Sequence, residues 1–287
     1  FISSLLGYAC FYLWKLFGSY GWTIVSATII LRLLMVPSMY HQHKSQMMMT
    51  KLSKKQEEIR KMYANNRQKQ QEELMKLQER EGMNPMGGCL QMILPLIFFQ
   101  GFFGLMAAPL TMLLHLRLDK VILAADLIGN KAKYVQLDII REVAKSPDKF
   151  QMFSADEKSL ITSFNDSTNF LGLDLLGTVH SVKILWIIPI LCVITQIIMM
   201  VIPMLMNQNQ AKMNKGCNLA MMLVMPAFFI WVTISAPGAL GIYYLTGNIL
   251  SCIQSFVFYK FFNAQYLTAR QEAARIALRV EQEKLIK

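Results

Sequence analysis

Residues Gly21–Tyr40 read GWTIVSATIILRLLMVPSMY and carry one charge, Arg32. A run of this length, wound as a helix at about 1.5 Å per residue, spans the roughly 30 Å hydrocarbon layer of a bilayer. Four comparable runs follow. They are Met86–Ala107, Ile184–Met206, Cys217–Ala236 and Gly238–Tyr259. Proline and glycine inside such runs are tolerated where neighbouring helices satisfy the freed backbone groups. The expected fold class is all-α: a polytopic membrane protein with five transmembrane helices, at 19–40, 84–107, 184–206, 217–236 and 238–259.

The rest of the chain agrees. Of 287 residues, 54% are hydrophobic and 16% charged. Soluble domains carry about 25% charged residues, so much of this surface is not built for water. The net charge of +11 calls for an anionic partner, nucleic acid or lipid. The basic residues sit largely beside apolar runs, which favours lipid and topology. Cys10, Cys89, Cys192, Cys217 and Cys252 form no CxxC pair and have no histidine at ligand spacing. They are expected to be small buried hydrophobes, with no metal and no disulfide framework. No nucleotide-binding loop, HExxH helix, serine elbow or carboxylate pair is present. Catalytic residues, enzyme activity and a cofactor are therefore not expected.

The segments between spans set the orientation. Phe1–Gly18 is apolar and aromatic with one lysine, short for a span, and reads as an interfacial helix over 1–18. Residues 41–83 hold ten Lys and Arg against six Glu, with a turn at Asn65-Asn66, and read as a helical hairpin. Residues 207–216 form a short basic loop, and the tail 260–287 has six Lys and Arg against three Glu. Alternation puts these three net-positive segments on one side, which is then cytoplasmic. The N-terminus and the 108–183 region fall outside. That region, with nine basic and nine acidic residues, is expected to give membrane-surface helices and a small polar excursion.

Two features break the apolar pattern. A mid-span arginine costs about 2.5–3.5 kcal/mol on insertion, so such residues face a bundle interior or a watery cavity. Thr28 lies one turn before Arg32 on the same face. Snorkelling to the interface would need a reach of roughly 12 Å. None of the five runs contains an acid to pair with it. In the last run, Tyr244, Asn248, Ser251 and Ser255 follow one helical face, while Gln100 and Gln196 add polarity to two others. Such residues serve as interhelical hydrogen bonds or line a hydrated, positively charged pocket. Twenty-one methionines, Met47-Met48-Met49 among them, suit surfaces that accept varied apolar partners.

The order of these features resembles the YidC family of membrane protein insertases. Gly21–Pro37 resembles its first core span. GMNPMGGCL at Gly82–Leu90 is similar to its approach to the second. FLGLDL at Phe170–Leu175, Met225-Pro226 and PGALGIYYLTGN at Pro237–Asn248 resemble the segments around its last three spans. The resemblance implies a groove open to cytoplasm and lipid, with Arg32 as its cation and Gln196 as a polar lining residue. Thr28, Gln100, Tyr244, Asn248, Ser251 and Ser255 would complete the wall. It implies nascent membrane proteins and lipid as partners, with the ribosome and the Sec translocon as further ones, and no small-molecule cofactor. Tyr243-Tyr244 stands where the family commonly has Tyr-Trp, and Gln91 and Pro95 exchange the family's usual order. No large domain separates the first two spans, as in Gram-positive-type bacterial members, which implies a cell-membrane location. Read from the residues alone, a small-anion transporter or channel, or a scaffold for translocon assembly, also accommodates Arg32.

Overall fold

A computed structural model describes residues 2–81, 87–129, 134–180, 182–206 and 230–262, with scattered positions from 224 to 277. It is an all-α membrane protein with one small β-hairpin. Three described helical segments are long and apolar enough to cross a membrane: Tyr20–Ser45, Lys183–Ile202 and Gly238–Phe261. The helix Gly87–Ala107 adds a fourth apolar segment of 21 residues. The loop 207–216, most of the tail and the first part of the expected span at 217–236 lie outside the described residues; the last part of that span, 230–235, is helical. The chain divides into two units, one of Phe1–Leu34, Leu94–Ile197 and Met222–Leu250, the other of Met35–Ile93, Ile198–Met221 and Ser251–Lys287.

In the first unit, helix α1 (Ile2–Phe17) leads directly into α2 (Tyr20–Lys51). One face of α1 is buried through Cys10 and Trp14, whereas Leu5, Tyr8, Tyr12 and Leu16 are exposed along the other. The expectation for 108–183 requires revision. In place of a small polar excursion there is a packed lobe: α6 (Pro109–Met112), α7 (Leu118–Ile128), α8 (Val135–Lys145) and α9 (Ala155–Ser167). Leu113, Ile140, Val143, Phe153, Ile161 and Phe164 form its core. The polar stretch Ser163–Asn169 holds the end of α9 and the first residue of the strand that follows. That helix starts with a capping box, in which Ser154 Oγ accepts from the Glu157 amide and Glu157 Oε2 from the Ser154 amide. Glu157 also takes Lys120 Nζ at 2.7 Å, fastening α9 to α7.

The lobe holds the ends of the long helices. Trp14 Nε1 donates to Ser167 Oγ at 2.8 Å, and the Phe164 ring packs edge-on against Trp14 and Tyr20. After α9, strands β1 (Asn169–Phe170) and β2 (Leu173–Asp174) pair antiparallel. The chain then anchors α11 (Gly238–Phe261): Gly238 N donates to Gly177 O and Ala239 N to Leu175 O. Between them run a short 3₁₀ turn at Lys183–Trp186 and helix α10 (Ile187–Met206).

In the second unit, α2 continues past Tyr40 as one helix to Lys51, so residues 41–51 extend the span and do not begin a separate element. Helices α3 (Ser53–Met62) and α4 (Arg67–Arg80) then lie side by side. Asn66 caps α4 by accepting from the Lys69 amide, and Lys55 Nζ meets Glu81 at 3.5 Å. No residue of α4 is buried, as the sparse apolar positions lead one to expect. His43, buried among Tyr259, Phe258 and Phe262, is 3.1 Å from the Phe262 carbonyl and ties α2 to α11.

The contact of α1 with α6 gives a sharp test. A Cβ on Gly7 would fall 1.8 Å from the Met112 carbonyl oxygen. Burial pushes the Cys10 thiol up to about 12, which leaves it inert to maleimide at neutral pH. Gly7→Ala is expected to lift α1, lower the thermal midpoint in detergent and make Cys10 reactive, as read by peptide mapping. Unchanged labelling of Cys10 would contradict this packing.

Candidate functional site

The candidate residues lie on α2, α5 (Gly87–Ala107), α10 and α11; those up to Asn248 belong to the first unit, and Ser251 and Ser255 to the second. Arg32 projects from the middle of α2 and is half-buried. It reaches Gly247 of α11: a Cβ there would stand 3.1 Å from Arg32 Nη2. Glycine at 247 therefore lets the guanidinium lie against the α11 backbone. Tyr243, one turn earlier, is close enough to Arg32 to interact electrostatically, and its ring stacks on Phe102 of α5 at 4.5 Å. Among the described residues no carboxylate forms an ion pair with Arg32.

The polar stripe on α11 faces elsewhere. Tyr244 OH donates to Gln196 Oε1 at 3.0 Å, and Asn248 Nδ2 donates to Thr195 Oγ1 at 3.3 Å. Both partners belong to α10. The hydroxyl of Thr195 in turn reaches the Leu191 and Cys192 carbonyls. Residues 243 and 244 are about 100° apart around the helix axis, so α11 turns one polar face to Arg32 and an adjacent one to α10. The stripe at Tyr244 and Asn248 is thus interhelical bonding, one of the two roles its composition allowed. Thr28 is buried, and its hydroxyl donates to the Ile24 carbonyl of its own helix at 2.6 Å. Gln100 is exposed on α5, Ser251 is buried and Ser255 half-buried on α11.

The structure thus brings Gln196, Tyr244 and Asn248 into one cluster and sets Arg32 against Tyr243 and Gly247. Tyr243 and Gly247 escaped the sequence reading. Their i, i+4 spacing was available, but a glycine offers no side chain to notice, and Tyr243 registers only as a departure from a family pattern. Among the described residues no cluster of three or more potential ligands could hold a metal.

A helical protein with several spans apolar enough to cross a membrane, and with side chains hydrogen-bonded between them, is a multi-pass membrane protein. The model of the 60Kd inner membrane protein family matches residues 12–265, and the chain belongs to that family. It is similar to "Membrane protein insertase YidC 2" of Listeria innocua, 25% identical over 275 residues that cover 94% of this chain and 73% of the relative. It is similar to "Membrane protein insertase YidC" of Caldanaerobacter subterraneus subsp. tengcongensis, 24% identical over 257 residues covering 90% and 93%. A Helicobacter pylori protein of the latter name is 37% identical over 89 residues, 31% of this chain and 16% of its own.

The Tyr244–Gln196 bond can be weighed by a double-mutant cycle. Tyr244→Phe and Gln196→Ala should couple by about 0.6 kcal/mol, the usual size for side-chain bonds between membrane helices. Unfolding in mixed micelles measures it. Strictly additive effects would mean that the two side chains do not meet.

Proposed function

We propose that this chain is a membrane protein insertase: it receives transmembrane segments at Arg32 and releases them into lipid. The observation that carries the reading is a half-buried arginine in an apolar span without an acidic partner among the described residues. Kinship with proteins named as insertases supports it.

The physics is a barrier problem. A polar or acidic stretch of an incoming chain is costly to place in hydrocarbon. A cation held in a hydrated groove attracts that stretch and shortens the apolar path it must cross. Burial of the apolar segment in lipid then supplies the driving force, at about 25 cal/mol per Å². On this reading the groove opens beside Arg32, Tyr243 and Gly247. The bonded pairs Tyr244–Gln196 and Asn248–Thr195 hold its wall, and Gln100, Ser251 and Ser255 extend the polar surface along the helices. Thr28, spent on its own backbone, acts through helix packing.

The topology proposed with it has five spans, an N-terminus outside and a C-terminus inside. The pair α3–α4 is then a cytoplasmic hairpin that, with the basic tail, meets anionic lipid and the ribosome. Helix α1 lies in the outer interface. The Sec translocon is a further partner on this reading.

Reconstitution in liposomes with a small single-span client, read by protease protection, tests the site. Arg32→Lys keeps the charge and should retain insertion. Arg32→Ala should lose most of it. Gly247→Leu, which fills the space beside the guanidinium, should resemble Arg32→Ala. Full activity of Arg32→Ala would end the role given to this residue, and absence of insertion by the unaltered protein would end the insertase reading.

A further inference from the structure

We propose that His115 is a pH-sensitive clasp: its neutral ring holds α1 against the lobe, and acid loosens that contact. His115 lies in the turn between α6 and α7. Its φ of 54° is left-handed, a conformation that side chains other than glycine seldom adopt. The turn thereby presents the imidazole to α1. Tyr8 stacks on it with ring centroids 3.8 Å apart, and Phe11 meets it edge-on. Its Cε1 is 3.4 Å from where a Cβ on Gly7 would stand.

The ring nitrogens make this contact conditional. Nε2 is buried and has no hydrogen-bond partner among the described residues. A neutral ring can leave that nitrogen unprotonated. An imidazolium carries N–H on both nitrogens, and a buried donor without an acceptor is costly. The Tyr8 face attracts a cation, but weakly at a ring that is itself exposed. Water can reach both nitrogens once α1 lifts, so the proton is better held in the loosened state. Burial accordingly pushes the His115 pKa down. The titratable groups of α1 are Tyr8, Cys10, Tyr12 and Lys15, and α6 has none. Beyond the turn, Arg117 and Asp119 pair with each other at 2.9 Å. Among the described residues no carboxylate forms an ion pair with His115. Histidine is the side chain whose ordinary pKa lies between pH 5 and 8. The contact is therefore at full strength above about pH 6.5. It weakens as pH falls from there toward the lowered value of the docked state, by at most about tenfold per pH unit.

The inference needs neither a topology nor insertion activity. Hydrogen exchange of the full chain in detergent, read by mass spectrometry at pH 7.5 and 5.5 and corrected for the intrinsic rate, tests it. Amides in the first half of α1 are expected to exchange up to about tenfold faster at pH 5.5, while those of α9 keep their protection. His115→Phe keeps a ring for Tyr8 to stack on, and His115→Asn suits the left-handed backbone; neither titrates. Both variants should lose the pH dependence in α1. His41, His43 and His180 remain in each, so an acid effect that belongs to them would persist. Equal protection of α1 at the two pH values in the unaltered protein would overturn the proposal. So would a pH dependence that survives in either variant, or a loosening of α9 to the same extent. None of these results bears on Arg32, whose reading depends on client insertion alone.

Discussion

The constraint on which the structure turns is that one guanidinium has to be kept in the middle of an apolar span. Arginine carries five donors and no acceptor, and it holds its proton in proteins. Its surroundings must therefore supply acceptors or water. The helices around Arg32 meet this demand by subtraction. Tyr244 is engaged with Gln196, Asn248 with Thr195, and Thr28 with its own backbone. The neighbouring polar side chains are largely satisfied by one another. What lies against the cation is the Gly247 backbone, with the Tyr243 side chain near enough to interact with it electrostatically. Acceptors there can be provided by water, or by a visiting chain.

Such an arrangement depends on helix placement, and lipid gives little help with that. Acyl chains are as apolar as leucine, so there is no hydrophobic drive to press helices together in a membrane. The lobe between α5 and α10 supplies it from outside the spans. Its buried core fixes α1 through Trp14 and Ser167 and the start of α2 through Tyr20. The segment after β2 fixes the start of α11 by two backbone bonds. Arg32 lies twelve residues into α2, and Gly247 nine residues into α11. At about 1.5 Å per residue both sit at comparable depth below the lobe, which is why two helices anchored at their first turns meet there.

Much of this was legible in the residues, and the misses have physical reasons. Long apolar runs announce themselves, because a bilayer sets one length and one composition for any helix that crosses it. Arg32 stands out for the same reason. The lobe did not. Helix α8, VQLDIIREVAK, is amphipathic, but Ile161 and Phe164, with which it shares the core, come from a helix about 20 residues further along the chain. Short helices joined by polar turns look alike whether they pack on each other or lie on a membrane. The stripe on α11 was found, yet its direction was not. Periodicity tells which residues share a face, and only packing tells which neighbour that face meets.

The position of Pro37 sharpens the account of Arg32. Proline has no amide hydrogen, so at 37 it leaves the carbonyl of Leu33 without its helical donor. Helix α2 nevertheless runs through it from Tyr20 to Lys51. A backbone acceptor next to Arg32 in the chain is thus left without its helical donor, within the same apolar span. Each alone is costly to bury, and together they can share the same water. The sequence Arg-Leu-Leu-Met-Val-Pro accordingly makes one turn of an apolar helix hydrophilic without adding a second charge. A second charge, if acidic, would pair with Arg32 and close the site to any incoming chain.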